Sequence, residues 1–313
     1  MIMPLLLFIA GLVLLVKGAD YITEYASKIA KKCGISEFMI GITFVAFTTS
    51  IPEISVSIVS AASQVVSTNT PIDIASGTVI GSNIANIGLV LGLAVLSRSM
   101  LMKKTYIDEG YFMLLLSGIF AVLLFAGITW YSGVILLMVM FIFLLYVKNS
   151  RGGISKTKNF CKIISKKETV RDISISVFGA GMIVVGSILL VNSVLDISAI
   201  LGIPEFMIAI IAVAVGTSLP EIATSVVAAF KKMHGISLGN IIGSNIFNIF
   251  GIALASFLVP ISISHKAFLI SMPIFILLPV ILIFFMRTKR KITKKEGVIL
   301  LVIYAVFVAL QVI

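Results

Sequence analysis

Most of this chain is too apolar to be held in water. Runs of roughly 20 apolar residues, the length that crosses a hydrocarbon layer of about 30 Å, lie at 3–27, 37–61, 74–97, 109–126, 130–147, 173–196, 205–230, 238–259, 266–286 and 297–312. With 12% charged residues and a mean hydropathy of +1.19, an ordinary water-soluble core is excluded. The expected fold is an all-α polytopic membrane protein with ten transmembrane helices. The first run lacks a basic segment before it and has an internal counterpart at 173–196, so it reads as an uncleaved helix rather than a secretory signal.

The second constraint is duplication. Ala46-Phe47-Thr48-Thr49-Ser50-Ile51-Pro52-Glu53 returns 168 positions later as Ala214-Val215-Gly216-Thr217-Ser218-Leu219-Pro220-Glu221. Upstream, Gly34-Ile-Ser-Glu37-Phe-Met-Ile40 matches Gly202-Ile-Pro-Glu205-Phe-Met-Ile208 at the same offset, as Gly11 and Gly18 match Gly179 and Gly186. Downstream, Gly77-Thr-Val-Ile-Gly-Ser82-Asn-Ile-Ala-Asn86 matches Gly239-Asn-Ile-Ile-Gly-Ser244-Asn-Ile-Phe-Asn248 at an offset of 162. Ten runs therefore divide into five per copy. The copies are expected at 1–147 and 173–313, joined by a basic linker at 148–172.

Charge sets the expected orientation. Of the 24 basic residues, 22 fall on one side of a ten-span topology, the exceptions being Lys17 and Lys266. By the positive-inside rule that side is cytoplasmic, which places both termini outside the cell membrane. Because five is odd, the two copies insert with opposite orientation, the inverted-repeat plan of many secondary transporters. The net charge of +11 sits in short connections between apolar runs, so it points to anionic lipid headgroups and not to nucleic acid.

An ionisable side chain inside such a run marks function by default. On a helix, Thr49 and Ser50 lie four and three residues before Glu53 and share its face, and Thr217, Ser218 and Glu221 repeat the pattern. Pro52 and Pro220 cannot donate to the carbonyls of Thr48 and Gly216, so each helix is expected to kink where these oxygens cluster and to free carbonyls as ligands. Ser82 with Asn86, and Ser244 with Asn248, again put oxygen-bearing side chains at i and i+4. For the asparagines, hydrogen bonding between helices is the competing reading. All these donors are hard oxygens, which suit Ca²⁺, Mg²⁺, Mn²⁺ or Na⁺ and argue against Zn²⁺ and copper. Two facing carboxylates would neutralise one divalent cation, or accept several Na⁺ ions or protons in its place.

At these residues the chain resembles the cation/calcium exchanger superfamily, specifically the sodium/calcium exchangers and their small prokaryotic relatives. The resemblance implies an antiporter exchanging Ca²⁺ for Na⁺ by alternating access, with a H⁺/Ca²⁺ antiporter as the alternative. Carried over residue by residue, the implied ion ligands are Ala46, through its carbonyl, Thr49, Ser50, Glu53, Ser82 and Asn86, with Ala214, Thr217, Ser218, Glu221, Ser244 and Asn248. It also implies that the first and sixth helices form a mobile pair. Two departures stand out: Thr48 occupies the place of Gly216 and could narrow the first ion path, and Asn248 stands where potassium-dependent relatives carry aspartate, which disfavours potassium co-transport.

Enzymatic roles lack material. His234 and His265 are expected in loops, no His or Asp pair lies within the membrane for acid-base work, and Cys33 and Cys161 read as free thiols beside basic loops. No cofactor is expected beyond the transported Ca²⁺ and Na⁺ (or H⁺), and the protein is expected to work as a monomer in lipid. Lys17, Asp20 and Glu24 share one side of the first run and are expected to pair locally.

Overall fold

A computed structural model of the protein describes residues 2–66, 74–101, 106–149, 167–200, 218–263, 265–289 and 291–312. The described chain is almost wholly helical, as lipid requires of a backbone that must satisfy its own hydrogen bonds. In order, the helices are α1 (Ile2–Cys33), α2 (Glu37–Thr49), α3 (Ile51–Val66), α4 (Ala75–Ser97), α5 (Ile107–Ala126), α6 (Trp130–Asn149), α7 (Lys167–Ile200), α8 (Leu219–Phe230), α9 (His234–Ala255), α10 (His265–Lys289) and α11 (Lys294–Val312). Among the described residues, seven helices are long and apolar enough to cross a membrane, or eight if the bent pair α2–α3 is one span. The upstream half of the expected run 205–230 lies outside the described residues, as does most of the expected linker.

Several boundaries differ from the sequence reading. At 32 residues, α1 extends about 48 Å, so its last turns carry Lys28, Lys31 and Lys32 as helical residues rather than loop residues. Basic side chains there also favour the negative end of the helix dipole. Residues 167–172, expected in the linker, form the first turns of α7. His234 and His265 open α9 and α10 instead of lying in loops. Cys33 is buried at the end of α1, and Cys161 is outside the described residues.

Helix α9 is the centre of the molecule, with 89% of its membrane-length window buried, against 28% for α1. Glycine makes this possible on one face. A Cβ at Gly239 would stand 2.5 Å from the Phe38 carbonyl oxygen, and one at Gly243 2.5 Å from that of Ile42, so only glycine admits the backbone of α2 so closely. Around the pair, α3, α4, α5, α6 and α8 close a continuous apolar core that includes Phe38, Ile42, Ile80, Phe120, Ile246 and Leu282.

The contacts between the two halves are reciprocal. Helices α1 and α7 cross antiparallel: a Cβ at Gly179 would meet the Gly18 carbonyl at 2.9 Å, and one at Gly186 would meet that of Gly11 at 2.8 Å. Gly11 and Gly18 are the sequence counterparts of Gly179 and Gly186, so Gly179 meets the counterpart of Gly186 and Gly186 meets the counterpart of Gly179. Two short β-bridges obey the same rule. Met100 and Leu101 (β1) pair antiparallel with Ile292 and Lys291 (β2), joining the α4–α5 connection to the α10–α11 connection. Ile128 and Ile261 exchange backbone hydrogen bonds of 2.8 and 2.7 Å, joining the α5–α6 and α9–α10 connections, which are the counterparts of the first pair. Gly127, at φ +86°, supplies the left-handed turn between α5 and α6.

Candidate functional site

The first motif sits at a break between helices. Ser36 caps α2, its hydroxyl accepting from the Met39 backbone N–H at 3.1 Å. The helix widens into a π-helical turn at Gly41–Val45 and ends at Thr49. Ser50 (φ −85°, ψ 1°) leaves the helical region, and α3 restarts with Pro52 in its first turn at a bend of 45°. Pro52 cannot carry the i to i−4 bond, so the chain has no reason to stay straight there. Ser218 has the same backbone conformation (φ −88°, ψ 2°) before Leu219 and Pro220 open α8. The bond that restarts each helix is also repeated, from Ile54 N–H to the Ser50 carbonyl at 3.0 Å and from Ile222 N–H to the Ser218 carbonyl at 2.9 Å.

Of the twelve expected ligands, Ala214 and Thr217 lie outside the described residues. The other ten (Ala46, Thr49, Ser50, Glu53, Ser82, Asn86, Ser218, Glu221, Ser244 and Asn248) are all buried. Hydrogen bonds gather several of them across the halves of the chain. Glu221 Oε1 accepts from Ser50 Oγ at 3.4 Å and from Ser244 Oγ at 3.3 Å. Thr49 Oγ1 lies 3.4 Å from Ser244 Oγ, and Glu53 is near enough to Glu221 for their charges to interact. The carbonyl of Ala46, a ligand implied by the resemblance, accepts from Ser50 N–H at 3.0 Å and from Thr49 Oγ1 at 3.3 Å.

The oxygens that remain without partners are the most informative. Buried polar atoms are nearly always hydrogen-bonded, so each exception needs a reason. Among the described residues, Glu53 Oε2, Glu221 Oε2, Asn86 Oδ1, Asn248 Oδ1 and Ser218 Oγ are buried with no hydrogen-bond partner. These five belong to the duplicated motifs; Glu109 Oε2, Asp172 Oδ1, Ser176 Oγ, Thr224 Oγ1 and His234 Nδ1, outside them, are also buried without a hydrogen-bond partner. The interhelical bonding expected for the asparagines is present, each –NH₂ bonding to a neighbouring helix, while each carbonyl oxygen has no partner. Asn86 Nδ2 donates to Asn245 Oδ1 at 3.1 Å, and Asn248 Nδ2 donates to Asn83 Oδ1 at 2.9 Å.

Other residues contribute that sequence reasoning missed. Asn240 Oδ1 accepts from Thr49 Oγ1 at 3.0 Å while its Nδ2 donates to Ser225 Oγ at 3.0 Å. Thr224 Oγ1, one turn beyond Glu221, is buried without a partner. Their counterparts at the repeat offsets are Thr78 and Val56, so a search for matched pairs passes over both. The Thr48 hydroxyl folds back on its own helix to donate to the carbonyls of Phe44 and Val45 at 2.7 and 2.8 Å. The local pairing expected for Lys17, Asp20 and Glu24 is replaced by Asp20 with Lys231 and Glu24 with Lys28, each at 2.6 Å.

A buried nest of hard oxygen donors, enclosed by membrane-length helices, is the arrangement of a polytopic carrier for cations. Comparison with known proteins agrees. The family model for sodium/calcium exchanger proteins matches residues 3–148 and 173–313. The sodium/calcium exchanger MaX1 of Methanosarcina acetivorans is 34% identical, with 96% of each chain covered. An uncharacterized membrane protein of Methanocaldococcus jannaschii is 32% identical at the same coverage. A solved structure of the sodium-calcium exchanger NCX_Mj, soaked with Na⁺ and Ca²⁺, superposes with a TM-score of 0.86 at 31% identity over 99% of this chain and 98% of that one. The chain belongs to the sodium/calcium exchanger family, and is a multi-pass membrane antiporter for cations rather than an enzyme.

Proposed function

We propose that this protein exchanges Ca²⁺ for Na⁺ across the cell membrane by alternating access, with ions held between its two halves. The proposed ligands are Thr49, Ser50, Glu53, Ser82 and Asn86 with Thr217, Ser218, Glu221, Ser244 and Asn248, together with the carbonyls of Ala46 and Ala214. One observation carries this reading: the unpartnered buried oxygens of both glutamates and both ligand asparagines fall in matched positions of the two copies. Uncompensated buried carboxylates are costly, and a bound cation supplies the missing partner. Ca²⁺ accepts six to eight oxygens at flexible geometry, which suits such a mixed donor set.

The same reading gives ten spans as two inverted five-helix repeats over 1–147 and 173–313, a cytoplasmic linker at 148–172, outside termini and a functional monomer. The reciprocal contacts of α1 with α7 and of the two β-bridges support the inversion. Hydroxyls and amides around each carboxylate favour Na⁺ over H⁺ as the counter-ion, because neutral oxygens coordinate Na⁺ but do nothing to carry a proton. With two carboxylates, one Ca²⁺ leaves the site neutral and three Na⁺ would leave it at +1. Exchange in that ratio moves net charge and responds to voltage, at about 2.3 kcal/mol per charge per 100 mV.

The test is tracer Ca²⁺ uptake into proteoliposomes loaded with Na⁺ and diluted into Na⁺-free buffer, beside vesicles given only an inside-acid pH gradient. Uptake driven by the Na⁺ gradient is expected. Uptake driven by the pH gradient and indifferent to Na⁺ would replace this assignment with H⁺/Ca²⁺ antiport.

A further inference from the structure

The two amides at the site face a choice that geometry alone does not make. The carbonyl and –NH₂ ends of an asparagine are nearly the same size, so either fits the same space. Only one end can face a cation. Which end does so is decided by what holds the other, and in both cases that holder comes from the opposite half of the chain.

Asn248, on α9, is held by Asn83 on α4, whose Oδ1 accepts from Asn248 Nδ2 at 2.9 Å. Asn83 is itself fixed, because its own Nδ2 donates at 3.1 Å to the backbone carbonyl of Asn245, an acceptor that cannot turn into a donor. Asn86, on α4, is held by Asn245 on α9, whose Oδ1 accepts from Asn86 Nδ2 at 3.1 Å. Asn245 Nδ2 in turn donates to Met113 Sδ at 3.4 Å, a weaker anchor. Asn83 and Asn245 are counterparts at the 162-residue offset, so the arrangement is crossed. Both holders are buried, and the carbonyl oxygens of Asn86 and Asn248 are left open.

The geometry points to Asn83 and Asn245 as positioning residues: each fixes, from the other half, the amide orientation of the ligand asparagine opposite it, so that the cation meets oxygen and not –NH₂. This rests on the proposed role of Asn86 and Asn248 as ligands, and neither holder is itself a ligand. Because each holder and its ligand lie on different halves, the orientation depends on α4 and α9 keeping their register. Oxygen is then presented only when the two halves are correctly seated.

Partners of this kind typically change metal affinity by about 10- to 100-fold when removed. N83A is therefore expected to raise the Ca²⁺ concentration for half-maximal uptake about tenfold or more. A carboxylate at the ligand position offers oxygen whichever way it is turned, so in an N248D background the further change N83A should cost less than about twofold. N245A with N86D gives the mirrored pair of measurements, and stands in if N83A does not yield folded protein. N83A at wild-type affinity would overturn the inference, as would an N83A penalty undiminished in N248D, which would mark Asn83 as merely structural. N248A serves as the control: wild-type Ca²⁺ affinity in that variant would remove the ligand role on which the inference rests, whereas a defect in N248A with none in N83A would overturn the positioning role alone.

Discussion

Helices α2, α3, α4, α8 and α9 on one side, and the pair α1 and α7 on the other, solve the same problem of packing in lipid with opposite means. The first group holds most of the buried polar side chains: α9 places Asn240, Ser244, Asn245 and Asn248 on faces that are sealed from outside. The pair is bare by comparison, with Leu5, Leu6, Ile9, Val13 and Val16 exposed on α1 and Val177, Phe178, Val185 and Ile188 on α7, as suits side chains turned to lipid. Its two helices meet along glycines, with ion pairs concentrated towards one end. Hydrogen-bond networks have discrete arrangements and resist sliding, whereas a smooth glycine crossing has few directional contacts to break. Directional contacts are therefore denser around the candidate site than along the α1–α7 crossing.

The largest expected effect is at the site. E53Q and E221Q should each reduce tracer Ca²⁺ uptake to background while the purified protein stays folded and monodisperse, because each removes half of the charge that balances the cation. Uptake near the wild-type rate in either variant would break the contrast at its root.

The second test compares the two kinds of glycine. G243V drives a branched side chain into the Ile42 carbonyl and Ala46 Cβ, both 2.5 Å from the first added carbon, inside a core that cannot yield. Overpacking of this sort costs about 1–3 kcal/mol or more, and loss of folded protein in a thermal-melt assay is expected. G179A also collides, at 2.9 Å with the Gly18 carbonyl, but between helices that can separate towards lipid. It should slow exchange while leaving equilibrium Ca²⁺ binding within about twofold, since the affinity-setting contacts lie elsewhere. Equal losses of stability in both variants would show that the pair is packed as rigidly as the core.

Ion pairs provide the smallest and finest comparison. Lys32 on α1 meets Asp172 on α7 at 2.7 Å, and the Asp172 side chain is only 1% exposed. Removing the partner of a buried charge is strongly destabilising, by about 3–5 kcal/mol when both groups are sealed; K32M should approach the lower end, because Lys32 itself is 31% exposed. Lys231 and Asp20, 28% and 37% exposed, tie α1 to the end of α8, and K231M should cost no more than about 1 kcal/mol. Melting temperatures that rank K231M below K32M would reverse the expected order.

Much of this was legible in the sequence because duplication acts as an internal check. Glu53 and Glu221 stood out as carboxylates in apolar runs, and the prolines marked both helix breaks. Other features left no such signal. Asn240 and Thr224 are opposite Thr78 and Val56, so comparing the copies hides them. Asn83 and Asn245 lie inside the matched motif, but i, i+4 spacing drew attention to their neighbours, and the crossed bonding needs α4 and α9 in three dimensions. Helix ends were misplaced wherever basic residues extended a span beyond the hydrocarbon, as at Lys28–Lys32, because hydropathy reports where lipid ends and not where the helix does. The new partners of Asp20 and Asp172 are likewise long-range contacts that local spacing cannot anticipate.

The central claim is that a cation completes the bonding of Glu53, Glu221, Asn86 and Asn248. Anomalous diffraction from crystals soaked in Ca²⁺ addresses it directly, with Na⁺ omitted to avoid competition. The expected result is a single strong peak within about 2.3–2.6 Å of oxygens from both glutamates, with the carbonyl ends of both asparagines turned towards the same cavity. Calcium bound only at the protein surface, with Glu53 and Glu221 still lacking a shared partner, would contradict it.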